Sequence, residues 1–304
     1  MKNLLLTLSF LMIFAGVFSQ GNDIISPNPN ANDESKNPVY DTWACNYHVD
    51  MPTTFQMPKG SLEMMIDHRF STINNGVKDV FGIYGASNIF MALNYGVTDK
   101  IMLGFGSEKD NKLQVFSTKI KLLEQNQGGS IPVSLSLVAN AGICTKDEEL
   151  WGANYKFADR MSYFSQLLIA RKFTDRISFQ VGAGYAHFNK VENTQDELEN
   201  NVGLYQNDAV CLSAGGRVKV HNELSVICEY NQGLYIKSPI QSYELDPKPG
   251  LSLGLEAGTS IHAFQFFVAS ARGLVPQQNF VKNQADFTNS TGLFVGFNIT
   301  VRLK

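Results

Sequence analysis

The chain has 304 residues, with 25 Lys and Arg against 28 Asp and Glu and a formal net charge of −3. Without a basic excess there is no electrostatic footprint for a phosphate backbone, which argues against a nucleic-acid partner. Charged residues make up 17%, below the roughly 25% of soluble domains, and the apolar share of 44% is ordinary. A wall with one face in lipid and the other in water averages to such a composition.

Met1-Lys2-Asn3 is a short basic start, and Leu4 to Phe18 is almost wholly apolar. Val17 and Ser19 then place modest side chains three and one residues before a cleavage point ahead of Gln20. This layout predicts a secretory signal peptide over residues 1–19. The apolar run is too short for the roughly 20 residues of a membrane helix. The first cysteine is Cys45, so a lipid anchor at the cleavage point is not expected.

Residues 20–52 are polar, broken by NPNAND at 28–33 and by Pro38, and show neither strand nor helix period. We expect a polar periplasmic segment, partly ordered near Trp43. Cys45 and His48 within it, beside Tyr47, are two potential ligands and make only a weak metal site. No metal or cofactor is expected.

From residue 53 to 304 we expect one β-barrel domain. The period-2 pattern is clearest at the end of the chain. There Leu293, Val295, Phe297, Ile299, Val301 and Leu303 alternate with Phe294, Gly296, Asn298, Thr300 and Arg302. Successive strand side chains point to opposite faces, so this is a half-buried strand. Ile177, Phe179, Val181, Ala183 and Tyr185 alternate likewise with Ser178, Gln180, Gly182 and Gly184. Twelve such segments are predicted, at 61–70, 86–96, 100–107, 113–123, 131–144, 161–172, 176–188, 208–219, 223–233, 250–259, 263–271 and 291–303. Most are long enough for a tilted membrane strand, which needs about 9–11 residues.

The connections alternate too. VTDK at 97–100, FTDR at 173–176, VHNE at 220–223 and TSIH at 259–262 are tight turns. Loops 71–85, 145–160, 189–207, 234–249 and 272–290 are long. Short turns at one end and long loops at the other are the habit of outer-membrane barrels. The fold class expected is therefore all-β, a transmembrane antiparallel up-and-down barrel of about 12 strands.

On the polar faces lie Glu63, Asp67, Arg69, Lys119, Lys121, Arg217, Lys219, Glu229, Glu256 and Arg302. Their mixed signs predict a network of ion pairs running from strand to strand across a narrow lumen. His68 falls on the outer face, as does Arg171 or Lys172 according to register, all near strand ends where long side chains snorkel. Asp67 and His68 cannot pair as acid and base, because neighbours along a strand diverge. No GxSxG elbow occurs, and the strand glycines lack the following helix that phosphate binding needs. The acidic run Glu192, Asp196, Glu197 and Glu199 matches no calcium loop. Cys45, Cys144, Cys211 and Cys228 match no metal or redox spacing. They read as lone thiols, with a Cys211–Cys228 bridge as the alternative.

The stretches MPKGSLEMMIDHRFSTI at 57–73, LNYGVTDKIMLGFG at 93–106, STKIKLLEQ at 117–125 and IPVSLSL at 131–137 resemble a Bacteroidetes family of exported barrels of unknown function, the DUF5777 type. The resemblance covers most of residues 55–304. It implies an outer-membrane location and no catalytic residues. Ser71, where the pattern has Gly, and the Leu303-Lys304 ending, where many barrels have an aromatic, depart from it.

The function expected is a narrow small-solute channel or a structural barrel in outer-membrane lipid. The alternative is an interaction module that docks a protein partner through its outer loops or N-terminal segment. A hydrolase at the rim is a third reading, with less to support it.

Overall fold

The computed structural model describes residues 36–151, 154–195, 201–236 and 245–303. Residues 1–35, and with them the predicted signal peptide, lie outside these.

Twelve strands close into a barrel: β1 (Leu62–Thr72), β2 (Asn88–Gly96), β3 (Ile101–Glu108), β4 (Leu113–Leu123), β5 (Ser134–Cys144), β6 (Met161–Lys172), β7 (Ile177–Phe188), β10 (Asp208–Lys219), β11 (Leu224–Tyr235), β12 (Gly250–Gly258), β13 (His262–Ala269) and β14 (Phe294–Leu303). Two short strands, β8 (Asn193–Gln195) and β9 (Asn201–Gly203), pair only with each other inside a long loop. Every barrel neighbour is antiparallel and consecutive along the chain once that hairpin is set aside, and β1 pairs with β14 to close the ring. Closure leaves no sheet edge, which is the condition for a β-structure in lipid. No described helix is long and apolar enough to cross a membrane, as expected of a chain that crosses with strands.

The alternation read from the sequence is the alternation of burial. In β12, Leu251, Leu253 and Leu255 are exposed, whereas Ser252 and Glu256 are 2% and 1% exposed. Exposed Leu103, Phe105, Phe116, Leu167, Ile169, Val210, Leu212, Phe264 and Phe266 continue this apolar outer surface. Arg171 lies over the Phe173 ring at 5.3 Å, while Lys172 reaches the Tyr40 carbonyl at 2.9 Å. Arg171 is therefore the outward member of the pair.

The tight turns gather at one end, closed by bonds such as Val97 N–H to Ile101 O at 2.9 Å and Phe173 N–H to Ile177 O at 2.8 Å. The other end carries the long loops. One of these holds the helix α1 (Pro276–Lys282), which starts on the fixed φ of Pro276. The last strand begins at Phe294 rather than 291, because Ser290–Gly292 forms a 3-10 turn with the Asn289 side chain accepting from Thr291 N–H at 3.1 Å.

The helix α1 turns into the barrel mouth. Phe280 and Val281 are fully buried with Phe164, Ala186, Phe188, Ala209 and Cys211, and the Phe280 and Phe164 rings stack at 5.8 Å. Gly233 makes this approach possible, since a Cβ there would stand 1.8 Å from the Phe280 carbonyl oxygen.

Candidate functional site

The inward residues do not face an open pore. Residues 41–57, of which 41–52 are expected from the sequence in a polar periplasmic segment and 53–57 in the barrel domain, occupy the barrel interior. Trp43, Cys45, Asn46, His48, Val49, Met51, Thr53 and Met57 are all at most 4% exposed. The segment comes in at the turn end, where Pro38 bridges to Asn126. It doubles back as a hairpin, with Thr53 N–H donating to Asn46 O at 2.8 Å and His48 N–H to Met51 O at 2.9 Å. Its tip reaches the loop-end filling, because Met51 packs in the same cluster as Phe280 and Val281.

Most of the predicted lumen charges hold this hairpin. Glu229 accepts three backbone N–H bonds at its tip, from Val49 at 3.1 Å, Asp50 at 3.3 Å and Met51 at 3.2 Å. A carboxylate facing three amides does for a bend what a capping residue does for a helix end. Arg69 forms a fully buried ion pair with Asp50 and lies 4.6 Å from the Phe267 ring centroid. Glu63 accepts from the Asn46 amide, and from Asn94 at 3.2 Å. Lys119 donates to Asn46 Oδ1 and to Phe55 O, both at 3.0 Å. Arg302 donates to the Ala44 carbonyl and stacks on Phe55 at 4.7 Å.

The network predicted from strand to strand is therefore corrected in its routing. Two pairs run directly between strands, Arg217 Nε to Glu256 Oε1 at 2.7 Å and Arg302 Nε to Glu63 Oε2 at 3.5 Å. The other contacts pass through the hairpin or its entry. Arg217 and Lys219 both bind Asp41, at 3.2 and 2.5 Å. Lys121 leaves the network: it stands near the turn end of β4 and pairs locally with Glu124 at 2.7 Å. Asp67 is buried on the lumen face and makes no ion pair among the described residues.

Residues missed by sequence reasoning complete the cradle. Gln180 accepts from Thr54 N–H at 3.0 Å and donates to Pro52 O at 2.9 Å. Gln265 donates to Tyr47 O at 3.1 Å and to Glu256 at 2.9 Å, and Asn298 donates to Val49 O at 3.1 Å. Their signal was present as polar positions within the strand alternation. What they bind lay in a segment without a period.

His48 Nε2 sits between the Gly216 and Cys228 carbonyls at 3.0 and 2.9 Å. Both neighbours are acceptors, so this nitrogen carries the proton. Cys45 Sγ bonds Tyr47 O at 2.9 Å, and it and His48 have separate partners. The four cysteines are free. Cys211 pairs with Gly233 and Cys228 with Gly216; one thiol is buried and the other exposed, so they sit on opposite faces of the wall. Of the acidic run, Asp196, Glu197 and Glu199 lie outside the described residues. Glu192 bonds Lys282 at 2.8 Å. Partial burial pushes the Glu192 carboxyl up, and the Lys282 ammonium outweighs this, leaving it below the ordinary range.

Together the hairpin and the α1 loop leave little space. A cavity among Tyr47, Met65, Phe90, Ala92, Asn94, Gly106, Val115 and Ser117 measures about 10 Å³, at the lower limit for a single water.

A family described as a membrane bound beta barrel domain, DUF5777, matches residues 45–303, a span that includes the hairpin tip and its return. A comparison with curated proteins finds no match. Among solved structures, the chain is similar to an outer membrane channel from Pseudomonas putida F1 at 10% identity, with a TM-score of 0.48 over 83% of this chain and 99% of that one. It is similar to the NanC porin at 7% identity and a TM-score of 0.46, over 80% and 99%. The KdgM porin is similar at 7% identity and a TM-score of 0.44, over 80% and 98%. A single family thus spans the barrel and nearly all of the hairpin that fills it, and the chain belongs to that family of membrane-bound β-barrel domains, DUF5777.

Proposed function

We propose that the chain is a narrow outer-membrane channel for small polar solutes, closed in this conformation by residues 41–57. The observation that carries this reading is the chemistry of the contact. The hairpin's polar groups are held by Glu229, Arg69, Lys119 and Glu63, with Val49 and Met51 packing on apolar wall residues beside them. A wall that loses the hairpin keeps a hydrophilic lining of mixed charge, which suits small polar or zwitterionic solutes better than ions of one sign. A barrel filled permanently could be packed with apolar side chains at less cost.

Planar-bilayer recording tests the proposal. The intact chain should show little or no conductance, and a variant lacking residues 36–57 should show stable channels. If that variant inserts as a folded barrel and still does not conduct, the chain is a structural barrel. The mature protein should begin at Gln20, read by mass spectrometry of the membrane fraction; an intact Met1 there would overturn the expected processing.

A further inference from the structure

The loop that joins β1 to β2 differs from the other long loops. Between Ile73 and Tyr84 it carries one Lys and one Asp, adjacent at 78 and 79, and so has no net charge. Five of its apolar side chains are exposed: Val77 at 80%, Val80, Phe81 at 50%, Ile83 and Tyr84 at 78%. By contrast, the loop after β5 carries Lys146, Asp147, Glu148 and Glu149 in a row. A cluster of exposed apolar side chains on one surface marks a contact.

This loop is built, not slack. Gly82 N–H donates to Asp79 Oδ1 at 2.8 Å, Asn75 Nδ2 to Asp79 Oδ2 at 2.9 Å, and Phe81 N–H to Gly76 O at 2.7 Å. Ser71 N–H donates to Gly82 O at 3.2 Å, which ties the loop to the end of β1. A Cβ at Gly82 would stand 2.5 Å from the Ser71 carbonyl oxygen, so that position requires glycine. Val80 and Phe81 both adopt left-handed backbone, at φ 53° and 55°, a conformation that a β-branched residue strongly resists. The fold imposes this strain in a turn that leaves both side chains outside.

The strands on which the loop stands supply the occupant. The outward residues of β1 and β2, among them Met64, Met91 and Leu93, are exposed parts of the lipid-facing belt. The loop extends that belt beyond the strand ends without adding net charge. We propose that residues 77–84 rest in the outer lipid surface as an apolar foot, contacting acyl chains rather than phosphate groups.

The test uses the full chain in phosphatidylcholine vesicles containing a phosphatidylcholine with a diazirine on its acyl chain. After illumination, adducts are mapped by mass spectrometry. Peptides covering 77–84 should be labelled with yields of the same order as the peptide holding Leu103 and Phe105. The variant Phe81→Asp with Tyr84→Asp should reduce loop adducts to background and leave those at Leu103 unchanged, which also shows that the barrel still folds. Labelled strands with an unlabelled loop would overturn the proposal.

Discussion

Residues 41–57 and the α1 loop both fill the barrel, one from the turn end and one from the loop end, and they differ in the balance of polar and apolar contact that holds them. The hairpin is bound through carboxylates, a guanidinium, an ammonium and side-chain amides. The helix is bound through Phe164, Phe188 and the bare backbone at Gly233. Polar contacts are directional and costly to leave half made, so the hairpin has one seated position and a sharp penalty for partial release. Apolar contacts are tolerant of small shifts, so the helix seals without fixing geometry.

The comparison breaks first at Arg69. Arg69→Ala leaves Asp50 buried without its partner, and unfolding should become easier by about 3–5 kcal/mol, read from denaturant titration in micelles. Replacing both members, Arg69→Met with Asp50→Leu, should recover much of that loss. An Arg69→Ala variant no less stable than Lys121→Ala would show that the hairpin is not held by charge.

At the other end, Phe280→Ala empties space beside Phe164 and should cost about 3 kcal/mol without opening a conductance, because the hairpin remains seated. Channels in Phe280→Ala equal to those of the hairpin deletion would make the helix the principal seal.

Next comes the wall. Leu253→Arg places charge in lipid and should cost about 2–4 kcal/mol near the midplane. Alternation alone suggests that Ser252→Arg would be milder. Ser252 faces a filled interior, however, so that arginine should displace the hairpin, visible as faster proteolysis within residues 36–57. Resistance equal to that of the unmodified chain would place Ser252 against open space.

The smallest effect concerns Glu192 and Lys282. A carboxyl held below its ordinary range stabilises at pH above the unfolded pKa, and that contribution is lost as pH falls through the folded pKa. The pair is partly exposed, so the gain is under about 1 kcal/mol. Glu192→Gln should abolish this part of the acid dependence, measured by melting curves from neutrality down to below the ordinary carboxylate range.

The barrel was legible because its chemistry repeats every second residue. The β12 alternation, Leu251 to Leu255 outside and Ser252 and Glu256 inside, is visible without coordinates. Lys121 shares the face of Lys119 but stands near the turn end of β4, where Glu124 is at hand, and alternation does not say how far along the wall a charge sits. The hairpin was illegible for a different reason: its burial is balanced by bonds to Gln180, Glu229 and Asn298, more than 100 residues away, and polar residues satisfied at long range look like solvated ones. α1 is only seven residues long, too short for its period to register.

The meeting of Glu63 with Arg302 has a consequence for assembly. These residues are register partners on β1 and β14, the two strands that must find each other last in an up-and-down ring. That contact spans almost the whole domain in sequence, so forming it carries the largest loop-closure cost of any strand pair. The hairpin touches both sides of the seam, through Asn46 on Glu63 and Ala44 on Arg302. It precedes β1 in the chain and can gather around that strand before β14 arrives. The part that closes the lumen is thus also a clasp for the ring, and a variant that loses it should close its barrel more slowly even where the finished wall is unchanged.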